Sequence, residues 1–132
     1  MEILKWKTRI AVLWLFMAVA MSVHSVVGFM EPGMIGEIMS GEVEGVELGT
    51  GMLLFMALFW LVPLWLAFVS MTLKGSSNRW VNFVLGVVFT LLNIYHFIQH
   101  LASPVQILII GSTVAVTALI TWYAWNWPKE QA

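Results

Sequence analysis

Three histidines carry most of the chemistry available to this chain. His24 stands alone in an apolar run, while Asn93, His96 and His100 share the stretch NIYHFIQH. Histidines at i and i+4 fall on one face of a helix and make a compact ligand pair for Zn, Cu or Fe. Gln106, Thr113 and Thr117 recur at helical spacing further along. There is no cysteine, which excludes disulfides, thiolate metal sites and thiol nucleophiles. Met17, Met21, Met30, Met34, Met39, Met52 and Met56 add thioethers, which favour Cu(I).

The elements that must position these groups are membrane spans. The chain has 132 residues, 61% hydrophobic and 10% charged, with a mean hydropathy of +0.91. An ordinary soluble domain is about 25% charged. A bilayer core about 30 Å thick needs roughly 20 helical residues. Four runs qualify, over about 10–30, 51–73, 80–102 and 105–127, and none holds Lys, Arg, Asp or Glu. The whole chain, 1–132, reads as one transmembrane domain. The expected fold is all-α, an antiparallel four-transmembrane-helix bundle. The first apolar run is longer than the usual signal-peptide core, so a retained span is expected.

Lys5, Lys7, Arg9, Lys74, Arg79 and Lys129 fall on one side of such a bundle. The loop 31–50 falls on the other, with Glu31, Glu37, Glu42, Glu44 and Glu47. Basic residues mark the cytoplasmic side, so both termini are expected there. Asn82 and Arg79, near the inner boundary, read as loop-anchoring groups. In the outer loop Pro32 suits the first turn of a short helix. Met34, Ile35, Ile38 and Met39 would form the apolar face of an amphipathic outer segment between spans 1 and 2. Gly41, Gly45 and Gly49 read as flexible loop positions. Pro63 frees the carbonyl of Phe59 and predicts a bend in the second span.

At 100° per residue, Asn82, Gly86, Asn93, His96 and His100 return to within about 40° of one line. Met17, Met21, His24 and Gly28 form a similar stripe in the first span; Gln106, Thr113, Thr117 and Thr121 form one in the fourth. Polar groups in lipid turn inward, so three stripes facing one axis make a sparsely polar bundle core. His24 and His96 both lie roughly 21–24 Å from the inner boundary. Asn93, Ser22, Ser25 or a span-four Thr would serve as their hydrogen-bond partners.

Two function classes follow. The first is a structural or accessory bundle whose inward polar stripes fix helix packing. The alternative is a binding or transport bundle with a small-molecule or metal-cation site in its outer half. That site would comprise His24, Asn93, His96, His100, Thr113 and Thr117, with a metal taking His24, His96 and His100. Haem between His24 and His96 ranks below a metal ion, although bundle cores do hold cofactors between facing helices. Nothing supports an enzyme: there is no intramembrane carboxylate or Lys, no Gly-x-Ser-x-Gly elbow and no phosphate-binding glycine loop. The expected partner is the lipid bilayer, with room for a homo-oligomer or a membrane-protein partner, and no nucleic acid.

Three further stretches carry a resemblance: GFMEPGMIGEIMSGEVEG after span one, SSNRWVN entering span three and WYAWNW closing span four. Together the chain resembles a family of small prokaryotic four-span integral membrane proteins classed as a domain of unknown function. The resemblance covers nearly the whole chain. It implies a bacterial or archaeal cytoplasmic (inner) membrane and brings no established activity or functional residues.

Overall fold

The computed structural model describes residues 2–128. Four long helices form the molecule: α1 (Glu2–Phe29), α3 (Thr50–Thr72), α4 (Gly75–Gln99) and α5 (Pro104–Trp125). Between α1 and α3 lie a short helix α2 (Met34–Met39) and two strands, β1 (Glu42–Val43) and β2 (Val46–Glu47). All four long helices are long and apolar enough to cross a membrane. α1 starts well before the apolar run, because EILKWKTR contains no Gly or Pro and is rich in helix formers. α3 runs unbroken through Pro63, which is buried.

Side-chain contacts set the helix directions. Trp6 near the start of α1 donates its indole N–H to the Tyr123 carbonyl, 2.7 Å away, near the end of α5. His24 meets Gln106 at the opposite ends, so α1 and α5 are antiparallel. α3 and α4 are joined through Leu73 and Lys74, and α4 and α5 through residues 100–103. α1 packs between α3 and α5, α5 packs on α4, and α3 meets α4 only lightly. The result is an all-α four-helix bundle. Ile10, Trp14, Met17, Phe89, Val116 and Ile120 are central to its apolar core. Leu58, Trp65, Phe68, Leu91 and Leu108 point outward and are more than half exposed. A bundle greasy on the outside suits hydrocarbon rather than water.

One end of the bundle gathers Lys5, Lys7, Arg9, Lys74 and Arg79; Lys129 lies outside the described residues. Arg79 donates to the carbonyls of Ala124 (3.2 Å) and Trp125 (3.0 Å), which closes the C-terminus of α5 with a cation. Above it sits a buried polar layer. Asn82 Oδ1 accepts from Trp14 Nε1 (2.7 Å) and Ser70 Oγ (3.0 Å). Its Nδ2 donates to Asn78 Oδ1 (2.6 Å) and to the Asn78 carbonyl (3.0 Å). Asn78 in turn donates to the carbonyls of Ser70 and Leu73, where α3 ends. Every hydrogen-bonding position of the Asn82 amide is filled, so the layer ties α1, α3 and α4 together with no group left over. Asn82 is therefore a core group rather than a loop anchor.

The loop between α1 and α3 differs from expectation in two places. Pro32 precedes α2 rather than opening it. The Met34 N–H donates to the Glu31 carbonyl, and Gly33 has φ 86, so Pro32-Gly33 forms a type II turn. The glycines do not leave a slack loop either. Glu44 (φ 53) and Gly45 (φ 78) form the two-residue tip of a hairpin pairing Val43 with Val46 and Glu42 with Glu47. Two positive φ values in succession are the type I′ geometry that matches strand twist.

Candidate metal centre at the hairpin end

The structure brings His24, His96 and His100 together. Ring centroids are 4.6 Å apart for His24–His96, 5.3 Å for His24–His100 and 4.4 Å for His96–His100, all edge to face. One nitrogen from each ring lies within 4.8 Å of the others. All three residues are half-buried. The i, i+4 spacing on α4 supplies two rings, and the matching depth on α1 supplies the third.

Two of the rings are held by their Nδ1 atoms. His24 Nδ1 lies 2.5 Å from Gln106 Oε1. Gln106 Nε2 faces the Glu31 carboxylate (3.2 Å) and the His24 carbonyl (3.4 Å), both acceptors, which fixes Oε1 as the atom turned to the imidazole. His24 therefore carries its proton on Nδ1 and presents a lone pair on Nε2. His100 Nδ1 sits 2.9 Å from the His96 carbonyl oxygen and donates to it. This is the anchoring that metal-ligating histidines use: one ring N–H bonded to an oxygen, the other nitrogen aimed at the metal. His100 Nε2 in addition meets the carboxylate of Glu44, at the hairpin tip. His96 makes no side-chain hydrogen bond among the described residues, so both of its nitrogens are uncommitted.

Gln106 owes its position to Ser103. The Ser103 Oγ accepts from the Gln106 N–H (3.3 Å) as the N-cap of α5, with Pro104 at the first helical position. The same hydroxyl donates to Glu31 Oε1 (3.3 Å). A shallow cleft bounded by Val27, Met30, Glu31, Ser103 and Val105 opens beside this chain of contacts.

The other expected site residues sit apart. Asn93, Thr113 and Thr117 form their own buried group between α4 and α5, and among the described residues no hydrogen bond joins them to the histidines. Asn93 Nδ2 makes only long contacts, 3.5 Å to the Thr113 carbonyl and 3.4 Å to Thr117 Oγ1, and its Oδ1 has no partner among the described residues. Ser22 accepts from Trp60 instead of serving a histidine, because it faces α3. Met17 and Met21 are in the apolar core, and Met30 and Met39 are exposed. Sequence reasoning missed that Glu31 meets Gln106 and Ser103 and that Glu44 meets His100. The Ser-Pro pair before Gln106 is the helix-start signal that marks Ser103.

The fold and this cluster define a small α-helical bundle with four helices of membrane-spanning length and three imidazoles gathered at one end. The chain matches a family of unknown function, DUF6326, over residues 1–132, and the protein belongs to that family. No curated protein and no solved structure was found to match it.

Proposed function

We propose that this protein is a cation-binding bundle of a prokaryotic cytoplasmic membrane, with both termini cytoplasmic and a metal site in its outer half formed by His24, His96 and His100. The observation that carries it is the convergence of three imidazoles from two helices, two of them anchored through Nδ1. Borderline divalent cations prefer such nitrogen donors. The orientation rests on the basic residues gathered at the opposite end from the five glutamates. Metal analysis of the purified protein and Zn(II) titration of the stripped protein test the reading. Zn(II) is expected to bind one to one, and His24→Phe/His96→Phe is expected to abolish binding while the bundle stays helical. Absence of Zn(II) binding to the unaltered protein would sink it.

The accessory reading is favoured by a different observation, the closed polar layer around Asn82. Its groups satisfy one another, so that layer fixes packing and offers nothing to a ligand. The two halves of the bundle thus divide the roles.

A further inference from the structure

We propose that the contact between Glu44 and His100 is a latch: the hairpin tip covers the nitrogen a metal needs, and a cation is bound only as the hairpin lets go. The inference rests on the cation reading above and concerns how that same site is regulated.

The three imidazoles are not equally ready for a metal. His24 is anchored through Nδ1 and keeps Nε2 open, and His96 makes no side-chain hydrogen bond among the described residues. His100 is taken on both sides. Its Nδ1 donates to the His96 carbonyl at 2.9 Å, and its Nε2 meets the Glu44 carboxylate. A zinc ion sits about 2.0–2.1 Å from the imidazole nitrogen that ligates it. At His100 Nε2 the Glu44 oxygen already holds that place. Carboxylate and cation therefore exclude each other at this atom.

Two glutamates thus act on the cluster in opposite directions. Glu31 reaches His24 through Gln106, on the Nδ1 side, and leaves the ligating nitrogen bare. Glu44 approaches His100 from the ligating side and covers it.

The way the hairpin is held makes release feasible. Val43 pairs with Val46, and the Leu48 N–H donates to the Gly41 carbonyl at 2.8 Å, so the hairpin keeps its own shape. It packs on α2, where the Glu44 N–H donates to Glu37 Oε2 at 3.4 Å. Among the described residues, the Glu44–His100 contact is the one hydrogen bond from residues 42–48 to the helical bundle. Glu44 is 45% exposed, so water screens the pair and its loss costs little. A cation that binds only the released state draws the hairpin off. Anything that grips the latched hairpin weakens cation binding by the same factor.

Zn(II) titration of the full-length, detergent-solubilised protein tests this, together with a spin label on Val46→Cys in a chain that has no other cysteine. Glu44→Gly removes the carboxylate, and glycine suits the φ 53 of the tip. Glu47→Gln removes a charge from the same hairpin and serves as the control. Glu44→Gly is expected to bind Zn(II) about two- to fivefold more tightly than the unaltered protein, and Glu47→Gln no more tightly. The Val46 label is expected to gain mobility when Zn(II) binds, and to stay unchanged when Zn(II) is added to His24→Phe/His96→Phe. Glu44→Gly binding equally or more weakly, Glu47→Gln matching its gain, or a label unmoved by bound Zn(II) would overturn the latch and leave the three-histidine site standing. No Zn(II) binding by the unaltered protein would overturn both.

Discussion

Trp14 on α1 and Asn82 on α4 are joined by an indole N–H donating across 2.7 Å, with both side chains wholly buried. The indole gives this otherwise apolar residue one polar obligation, and Asn82 is where it is met. Replacing Asn82 with Leu strands the Trp14 N–H and the Asn78 Oδ1, while the Ser70 hydroxyl keeps the Leu66 carbonyl at 2.6 Å. The expected loss is about 2 kcal/mol, since interhelical bonds in membrane proteins average about 0.6 kcal/mol each. Thermal or denaturant unfolding in one detergent measures it. A change below about 0.5 kcal/mol would show the layer to be idle.

Asn93 should behave in the opposite way. Its Oδ1 is unpartnered and its donor contacts are long, so Asn93→Leu removes little and relieves a buried polar atom. The same unfolding measurement is expected to place it within about 1 kcal/mol of the parent. A drop as large as that of Asn82→Leu would mean the amide is engaged in a way these contacts do not express.

Gly86 sets how closely α4 approaches α5. A Cβ there would meet Thr121 Oγ1 at 2.7 Å and the Thr121 backbone nitrogen at 3.2 Å. Gly86→Ala is expected to destabilise by about 1–3 kcal/mol, because the obstacle includes backbone and cannot rotate away. Gly111 is the control: its added Cβ meets only Phe97 at 3.5 Å, an ordinary contact. Equal stability of the two alanine variants would contradict so close an approach of α4 to α5.

Gln106 is a positioning residue. Gln106→Leu keeps all three imidazoles and Glu44 but leaves His24 Nδ1 without its oxygen. Zn(II) affinity is expected to fall about 10–100-fold, the usual effect of removing an outer-shell partner. Isothermal titration of stripped protein reads this directly, and Gln106→Leu binding as tightly as the parent would remove the residue from the site.

The orientation has a clean test because the chain has no cysteine. Single cysteines at Lys5, Glu47 and Ser76, all exposed, can be probed on intact cells with an impermeant thiol reagent. Only the Glu47 position is expected to label from outside. Labelling of Lys5 or Ser76 would invert the bundle and put the histidines on the cytoplasmic side.

The four helices are legible in the sequence because each is a long apolar run, and length alone separates such runs from buried core helices. The convergence of His24 with His96 is legible from the 100° step and from depth. Glu31 and Glu44 are not. They reach their partners across 75 and 56 residues, by way of a turn and a hairpin too short to show a strand period. EVEGVE does carry the alternation of a hairpin, but Glu-Gly is a weaker tip signal than Asn-Gly or Asp-Gly. Trp14 is hidden for another reason: a scale that scores it as apolar cannot see its N–H. Asn82 looks like a boundary anchor in the sequence because its partners come from three helices at once, and no single stretch displays them.

One consequence follows from how the hairpin is hung. Leu48 closes it by donating to the Gly41 carbonyl at 2.8 Å, and α3 begins two residues later at Thr50. The first turns of α3, including Leu53, Leu54, Phe55 and Leu58, face outward, while the helix is held lower down by Trp60 on Ser22 and by Ser70 in the Asn82 layer. The hairpin that brings Glu44 to His100 is therefore hung from a helix end whose side chains face outward. Hydrocarbon thickness acts on such a helix end by tilt, at fractions of a kcal/mol per Å. Affinities for this protein will accordingly compare only within one lipid or detergent, and a graded series of acyl-chain lengths becomes a dial on the contact between Glu44 and His100.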